Sequence, residues 1–159
     1  MLKSKLLDST KQKVLFVLII LTLAVIWIHS TMPPETSSLE SNWVTKVITP
    51  LLEIFLGKGM VTEHLVRKLA HFCEFAILGI ELVPFLSHAA AGPILLSWNY
   101  SILAALIDES IQLFSGRGSA VLDIWLDFSG AFTGTIVAVI FYKLKNSSKS
   151  IINNTNHLM

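Results

Sequence analysis

The chain reads VLFVLIILTLAVIWI from Val14 to Ile28, a stretch without a single charged side chain. Together with the residues up to Met32 it supplies about 19 residues, close to the ~20 that an α-helix needs to cross a bilayer. Pro33 and Pro34 then end the helix, because proline lacks the amide donor and its ring clashes with the preceding turn. We therefore predict a first membrane span over residues 14–32.

The composition of the chain also indicates a membrane protein. Of its 159 residues, 53% are hydrophobic and 14% are charged, whereas soluble proteins carry about 25% charged residues. The formal net charge of +1 excludes nucleic-acid binding as the main function, since no basic stripe supplies the necessary field. The single cysteine, Cys73, excludes a disulfide framework and a multi-cysteine zinc site.

Further apolar segments predict three more spans, over residues 66–86, 93–112 and 121–142. Apolar residues at helical spacing between Val44 and Phe55 predict a short amphipathic helix in the membrane interface, interrupted at Pro50. The alternative for that segment is a solvated loop. The expected fold is all-α, with four transmembrane helices and an interfacial helix between the first and second.

Lysines flank the outer ends of this set of spans, and positive-inside counting therefore places both termini in the cytoplasm. Residues 1–13 form the expected cytoplasmic N-terminal segment and residues 14–142 the transmembrane domain. The first span lacks an Ala-x-Ala cleavage pattern after it, which favours a retained signal anchor over a cleaved signal peptide. Residues 143–159 are rich in Ser and Asn towards their end, and a disordered cytoplasmic tail is expected there.

Ionisable residues are concentrated where alternating spans meet on one side of the membrane: the start of span two, the end of span three and the start of span four. We expect them to form one outward-facing polar band, which consists of Arg67, Lys68, His71, Glu74, Asp108, Glu109, Gln112, Arg117, Asp123 and Asp127. An unpaired charge in a membrane helix costs about 2.5–3.5 kcal/mol, so these residues are expected to be paired and functional. Gly130 and Gly134 share the face of Asp123 and Asp127 and predict close helix packing.

Several kinds of chemistry fit this band. Arg67, Lys68 and Arg117 could hold a phosphate or carboxylate headgroup while the acids orient them, which is the interpretation we favour. His71, Glu74 or Asp127 could act in acid–base catalysis, and the band could also be a purely structural ion-pair network. A divalent metal is disfavoured by the neighbouring basic residues, so neither a metal nor another cofactor is expected.

Three segments together resemble the signature of VanZ-family membrane proteins in order and spacing. They are Lys68-Leu-Ala-His71-Phe72-Cys-Glu74-Phe75, Asp108-Glu109-Ser-Ile-Gln112-Leu-Phe114-Ser-Gly116-Arg117, and Asp123 and Asp127 followed by Gly130 and Gly134. The chain departs from the family pattern at Phe75, where Tyr is frequent, and at Ser115, where Pro often precedes Gly-Arg. The resemblance implies a bacterial cytoplasmic-membrane protein related to the one associated with teicoplanin resistance.

The resemblance and the polar band lead to one preferred function and two alternatives. We expect a non-enzymatic envelope protein that binds a lipid or glycolipopeptide headgroup at the outer leaflet and contributes to teicoplanin-type resistance. One alternative is a membrane enzyme that acts on a lipid-linked envelope intermediate with His71 as acid or base. The other is a small transporter or flippase, suggested by Glu81, which would need to form a homo-oligomer. The expected partners are membrane lipids or a glycopeptide ligand, and not nucleic acid.

Overall fold

The computed structural model describes residues 2–32, 46–55, 57–116 and 120–156. All regular secondary structure in these residues is helical, which confirms the all-α class. The described residues form five helices: α1 (Leu2–Thr31), α2 (46–55), α3 (Glu63–Phe85), α4 (Pro93–Phe114) and α5 (Val121–Asn156).

Three segments of the described helices are long and apolar enough to cross a membrane, namely Ser9–Thr31, Pro93–Phe114 and Val121–Lys145. Large side chains on their outer faces, such as Phe16, Leu103 and Ile140, are about half exposed, as lipid contact requires. The sequence predicts four spans. The remaining one, α3, is not among these three segments because charged residues along its length make it less apolar.

Helix α3 lies at the centre of the bundle, where it packs against α1, α4 and α5. It begins at Thr62, whose hydroxyl accepts a hydrogen bond from the main-chain N–H of Leu65 at 3.2 Å. Its buried face includes Phe75, Leu78 and Leu82. Helices α1 and α4 run in one direction and α3 and α5 in the other, so the ends of α1 and α4 meet the beginnings of α3 and α5.

Glycines allow α3 and α5 to approach each other closely. Gly130 and Gly134 of α5 lie against the carbonyl oxygens of Phe72 and Ala76, and Gly79 of α3 lies against that of Ala131. A Cβ atom at any of these glycines would overlap with the facing main chain. Because the backbones touch here, side chains one turn away on the two helices are also brought together.

A tight turn connects α4 to the region before α5. Ser115 donates its main-chain N–H to the carbonyl of Ile111 at 2.9 Å, and Gly116 follows with a φ of 74°. That left-handed conformation suits glycine and ends the helix. The chain therefore reverses within a few residues, and the end of α4 comes to lie beside the beginning of α5.

Three segments of the chain differ from the expectation drawn from the sequence. Helix α2 continues through Pro50 and is not interrupted there. Helix α5 extends to Asn156, well into the region expected to be disordered, because no proline or glycine follows Gly134. Helix α1 already begins at Leu2 and includes most of the N-terminal segment 1–13.

Candidate functional site: a buried polar cluster

A polar cluster lies where the ends of α1 and α4 meet the beginnings of α3 and α5. We define it by five residues from these four helices: Ser30, His71, Asp108, Gln112 and Asp127. Asp108 is 0% exposed and Asp127 is 1% exposed, so neither carboxylate reaches the surface. Carboxylates buried to this degree need hydrogen-bond donors, a counter-charge or a bound ligand.

Asp108 is the best-satisfied member of the cluster. The hydroxyl of Ser30 donates to its Oδ1, and Nε2 of Gln112 donates to its Oδ2 at 2.7 Å. Gln112 lies one turn further along α4, whereas Ser30 comes from α1. The hydroxyl of Ser115 also donates to the main-chain oxygen of Ser30 at 2.8 Å, so the end of α4 holds the end of α1 in place.

His71 faces both aspartates of the cluster. Its Nδ1 is 3.6 Å from Oδ2 of Asp108 and 3.8 Å from Oδ1 of Asp127. Both distances exceed those of a hydrogen bond. The imidazole therefore lies near two carboxylates without being bonded to either, and one ligand atom from each of the three residues falls within 4.8 Å of the others.

Asp127 is incompletely satisfied by the protein. Its Oδ2 is buried and has no hydrogen-bond partner within the described part of the chain. A buried acceptor left without a donor costs about 1–3 kcal/mol, and more when it carries charge. The arrangement therefore keeps an unpaired carboxylate oxygen in the interior, where it is available to a ligand.

A histidine–glutamate contact and a lysine–aspartate ion pair flank the cluster. Nδ1 of His29 lies 2.8 Å from Oε1 of Glu74 and connects α1 with α3. Nζ of Lys68 donates to Oδ1 of Asp123 at 2.6 Å and connects α3 with α5. All four side chains are partly exposed. Lys68 thus neutralises Asp123, and it is not bonded to Asp108 or Asp127.

Glu109 has a different position from its neighbour Asp108. Its Oε2 accepts a hydrogen bond at 3.1 Å from the main-chain N–H of Ala120, the residue that precedes α5. Negative charge is favourable at the N-terminal end of a helix. Glu109 therefore helps to dock the beginning of α5 on the end of α4.

The structure groups some of the residues predicted for the polar band and separates others. His71, Asp108, Gln112 and Asp127 belong to the polar cluster, and Lys68, Glu74, Glu109 and Asp123 surround it. Arg67 is half-buried on α3 and forms no ion pair with a residue that the structure describes. Arg117 lies outside the described residues.

Three polar contributors were missed by the sequence reasoning: His29, Ser30 and Ser115. For Ser30 a signal exists in the sequence, because it continues the buried stripe of Ile19 and Ile26 along one face of α1. A hydroxyl at the end of an otherwise apolar buried stripe indicates a polar partner on a neighbouring helix.

An apolar groove with a volume of about 250 Å³ lies between α1, α3 and α4. Trp27 and Ile107 line one part of it, and both are within one helical turn of the polar cluster. Phe16 and Leu86 line it further away. From Trp27 to Phe16 the groove follows α1 for about 16 Å, at 1.5 Å per residue. One end of the groove therefore lies within one helical turn of the polar cluster, although none of the five cluster residues lines it.

A bundle of long apolar helices around shielded acidic groups defines a multi-pass α-helical membrane protein. The chain belongs to the VanZ/LLP1 family, whose family model matches residues 15–142. This match confirms the resemblance drawn from the three sequence segments and includes every residue of the polar cluster. No curated protein and no solved structure matches the chain.

Proposed function

We propose that this protein binds a membrane lipid, or a lipid-linked or glycopeptide ligand, with the headgroup at the polar cluster and an acyl chain in the apolar groove. The observation that carries this proposal is the position of the groove, which begins within one helical turn of the cluster. Its length of about 16 Å is roughly half of the ~30 Å hydrocarbon core, the depth of one leaflet.

The proposal includes a fourth crossing by α3. With 23 residues, α3 is about 35 Å long, enough to span the hydrocarbon core. It packs between the three apolar spans, which cover much of its surface. Its deepest acid, Glu81, accepts a hydrogen bond from Thr22 of α1 at 3.2 Å. Contacts with the neighbouring helices would therefore compensate for the low hydrophobicity of α3.

We further propose that both termini lie in the cytoplasm and that the polar cluster faces the outer leaflet of the bacterial cytoplasmic membrane. Lysines at the outer ends of the spans support this orientation. In α2, the side chains of Val47, Leu51, Ile54 and Phe55 form an exposed apolar stripe. Such a stripe supports a position of α2 in the membrane interface, on the same side as the polar cluster.

Lipid retention during purification tests the binding proposal directly. Leu23 lines the groove, and Leu23→Trp would fill part of it. Leu18→Trp is the matched control, since Leu18 is exposed on the same helix and does not line the groove. Native mass spectrometry should show bound lipid on the wild type and on Leu18→Trp and a marked loss on Leu23→Trp. Equal lipid occupancy in all three proteins would contradict the proposal.

A contribution to teicoplanin-type resistance is the cellular consequence that we propose, supported by membership of the VanZ family. A protein that holds an outer-leaflet lipid or glycolipopeptide would act where such antibiotics bind. Cells that express the wild type should be less susceptible to teicoplanin than cells with equal membrane amounts of Asp127→Asn. The same susceptibility in both would argue against a role of the polar cluster in resistance.

A second candidate function is catalysis on a lipid-linked envelope intermediate. The observation that favours it is the position of the His71 imidazole between two buried carboxylates, which suits a general acid or base. Turnover of a labelled lipid phosphate by the purified protein, lost in His71→Gln, would support catalysis. No turnover across a panel of lipid phosphates would count against it.

A further inference from the structure

We propose that His71, Asp108 and Asp127 bind one divalent transition-metal ion, Zn²⁺ or Mn²⁺. This inference deepens the proposed function and rests on it for the ligand that the ion would face. A cation would allow a site dominated by acids to hold an anionic headgroup. Binding of the ion itself depends only on these three residues and is measured without lipid.

The spacing of the three side chains fits a shared ion better than direct contact. Nδ1 of His71 lies 3.6 Å and 3.8 Å from the two aspartate oxygens, beyond hydrogen-bond distance. Two ligands held at about 2.1 Å from a metal at a tetrahedral angle are about 3.4 Å apart. The two distances from His71 exceed this value by only a few tenths of an ångström, and one ligand atom from each of the three residues lies within 4.8 Å of the others.

The unpaired oxygen of Asp127 is an independent observation that points to a ligand. The residue is 1% exposed, and its Oδ2 has no partner within the described residues. Its Oδ1 lies 3.8 Å from Nδ1 of His71, beyond hydrogen-bond distance. A bound cation would satisfy the oxygen of this carboxylate for which the described part of the chain offers no donor.

Asp108 is held in the way that metal-ligating carboxylates commonly are. Ser30 and Gln112 donate one hydrogen bond to each of its oxygens. Such donors fix the orientation of a ligating carboxylate while leaving lone pairs for the metal. The cluster thus combines one oriented carboxylate, one unpaired carboxylate and an imidazole.

The charge of the three residues matches a divalent ion. As metal ligands, two deprotonated carboxylates and an imidazole would supply two negative charges. The sequence argument against a metal was the presence of basic residues, but Lys68 is bonded to Asp123 at 2.6 Å and is not directed at Asp108 or Asp127. The lysine therefore does not occupy the position of the proposed cation.

The types of ligand atom indicate which metal ions the site would bind. An imidazole nitrogen with carboxylate oxygens suits Zn²⁺ or Mn²⁺, whereas Ca²⁺ and Mg²⁺ prefer ligands that are all oxygen. Three protein ligands also leave a coordination position open. A phosphate or carboxylate oxygen of a lipid headgroup is the chemical group that would fill it.

Metal binding is tested on the full-length protein, purified in detergent, stripped with a chelator and incubated with Zn²⁺ or Mn²⁺ alone. Elemental mass spectrometry after desalting should find about one ion per chain in the wild type. Asp127→Asn and His71→Gln should lower the affinity at least about tenfold. Glu81→Gln is the matched control and should bind like the wild type, because Glu81 lies about 15 Å further along α3.

A second measurement needs no variant. X-ray absorption of the zinc-loaded wild type should show only nitrogen and oxygen ligands, with the scattering pattern of a single imidazole. A wild type that takes up neither ion would overturn the proposal, as would unchanged affinity in both cluster variants. Metal uptake by a protein that retains no lipid would contradict only the proposed function, whereas lipid retention without metal uptake would contradict only this inference.

Discussion

The hydroxyl of Ser30 in α1 donates a hydrogen bond to the carboxylate of Asp108 in α4, although 78 positions separate the two residues. Both side chains are fully buried. The bond joins the first helix of the bundle to the centre of the polar cluster. Stability of the bundle and geometry of the site therefore depend on the same contact.

Ser30→Ala removes this donor and leaves Oδ1 of Asp108 without a partner in the interior. We expect the free energy of unfolding to fall by about 1–3 kcal/mol, the cost of an unsatisfied buried acceptor. Chemical denaturation in detergent, followed by circular dichroism, measures the change. Ser110→Ala is the matched control because that hydroxyl is exposed and bonds only to Leu106 in its own helix. If both substitutions lowered the free energy of unfolding by the same amount, the Ser30 contact would contribute no more to stability than an exposed hydroxyl does.

Gly134→Ala places a methyl group against the carbonyl oxygen of Ala76. Main chain cannot rearrange as a flexible side chain can, so we expect a loss of about 1–3 kcal/mol in the free energy of unfolding. The same denaturation assay applies. Val137→Leu also enlarges a side chain of α5, but on an exposed face, and should change stability by less than about 0.5 kcal/mol. A neutral Gly134→Ala would mean that α3 and α5 do not touch as described.

The ion pair between Lys68 and Asp123 should contribute little to stability despite its 2.6 Å length. Their side chains are 36% and 23% exposed, and solvent screens the attraction between partly exposed charges. We expect a coupling energy of about 0.2–1 kcal/mol. A double-mutant cycle with Lys68→Met, Asp123→Asn and the double variant measures it. A coupling above about 3 kcal/mol would instead indicate a desolvated pair that belongs to the polar cluster.

Labelling of single cysteines tests the number of crossings. In a Cys73→Ala background, a membrane-impermeant maleimide should label Lys58→Cys in intact cells, because the proposed orientation places the segment between α2 and α3 on the outer side. Lys11→Cys, at the beginning of the first crossing, and Ala90→Cys, between α3 and α4, should react only after permeabilisation. Labelling of both Lys58→Cys and Ala90→Cys in intact cells would show that α3 does not cross the membrane.

The features that could be predicted are those that a short segment of the sequence indicates by itself. The uncharged stretch from Val14 to Ile28 indicates a membrane helix by itself, and the three motif segments indicate the family. The grouping of His71, Asp108 and Asp127 also has a local cause, since short connections between successive helices force alternating directions. These observations need no knowledge of how the helices pack.

Other features depend on packing and leave little trace in the sequence. The contact between Ser30 and Asp108 requires α1 to lie against α4, and no local pattern specifies that neighbour. The central position of α3 is also difficult to predict from the sequence. Its charged residues lower its overall hydrophobicity, although the face that includes Phe75 and Leu78 is apolar and buried. Conversely, the Ser and Asn residues after residue 142 have low helix propensity, so the composition gives little indication that α5 continues to Asn156.

The polar cluster also has consequences for how the protein is made. Residues from α1, α3 and α4 leave the ribosome before Asp127, which supplies the last carboxylate of the site. When α4 is synthesised, the donor for Asp108 in α1 has already been translated. The polar cluster is therefore completed only when α5 arrives, and a nascent chain stalled before this helix lacks Asp127, whose Oδ2 has no partner among the residues that the structure describes.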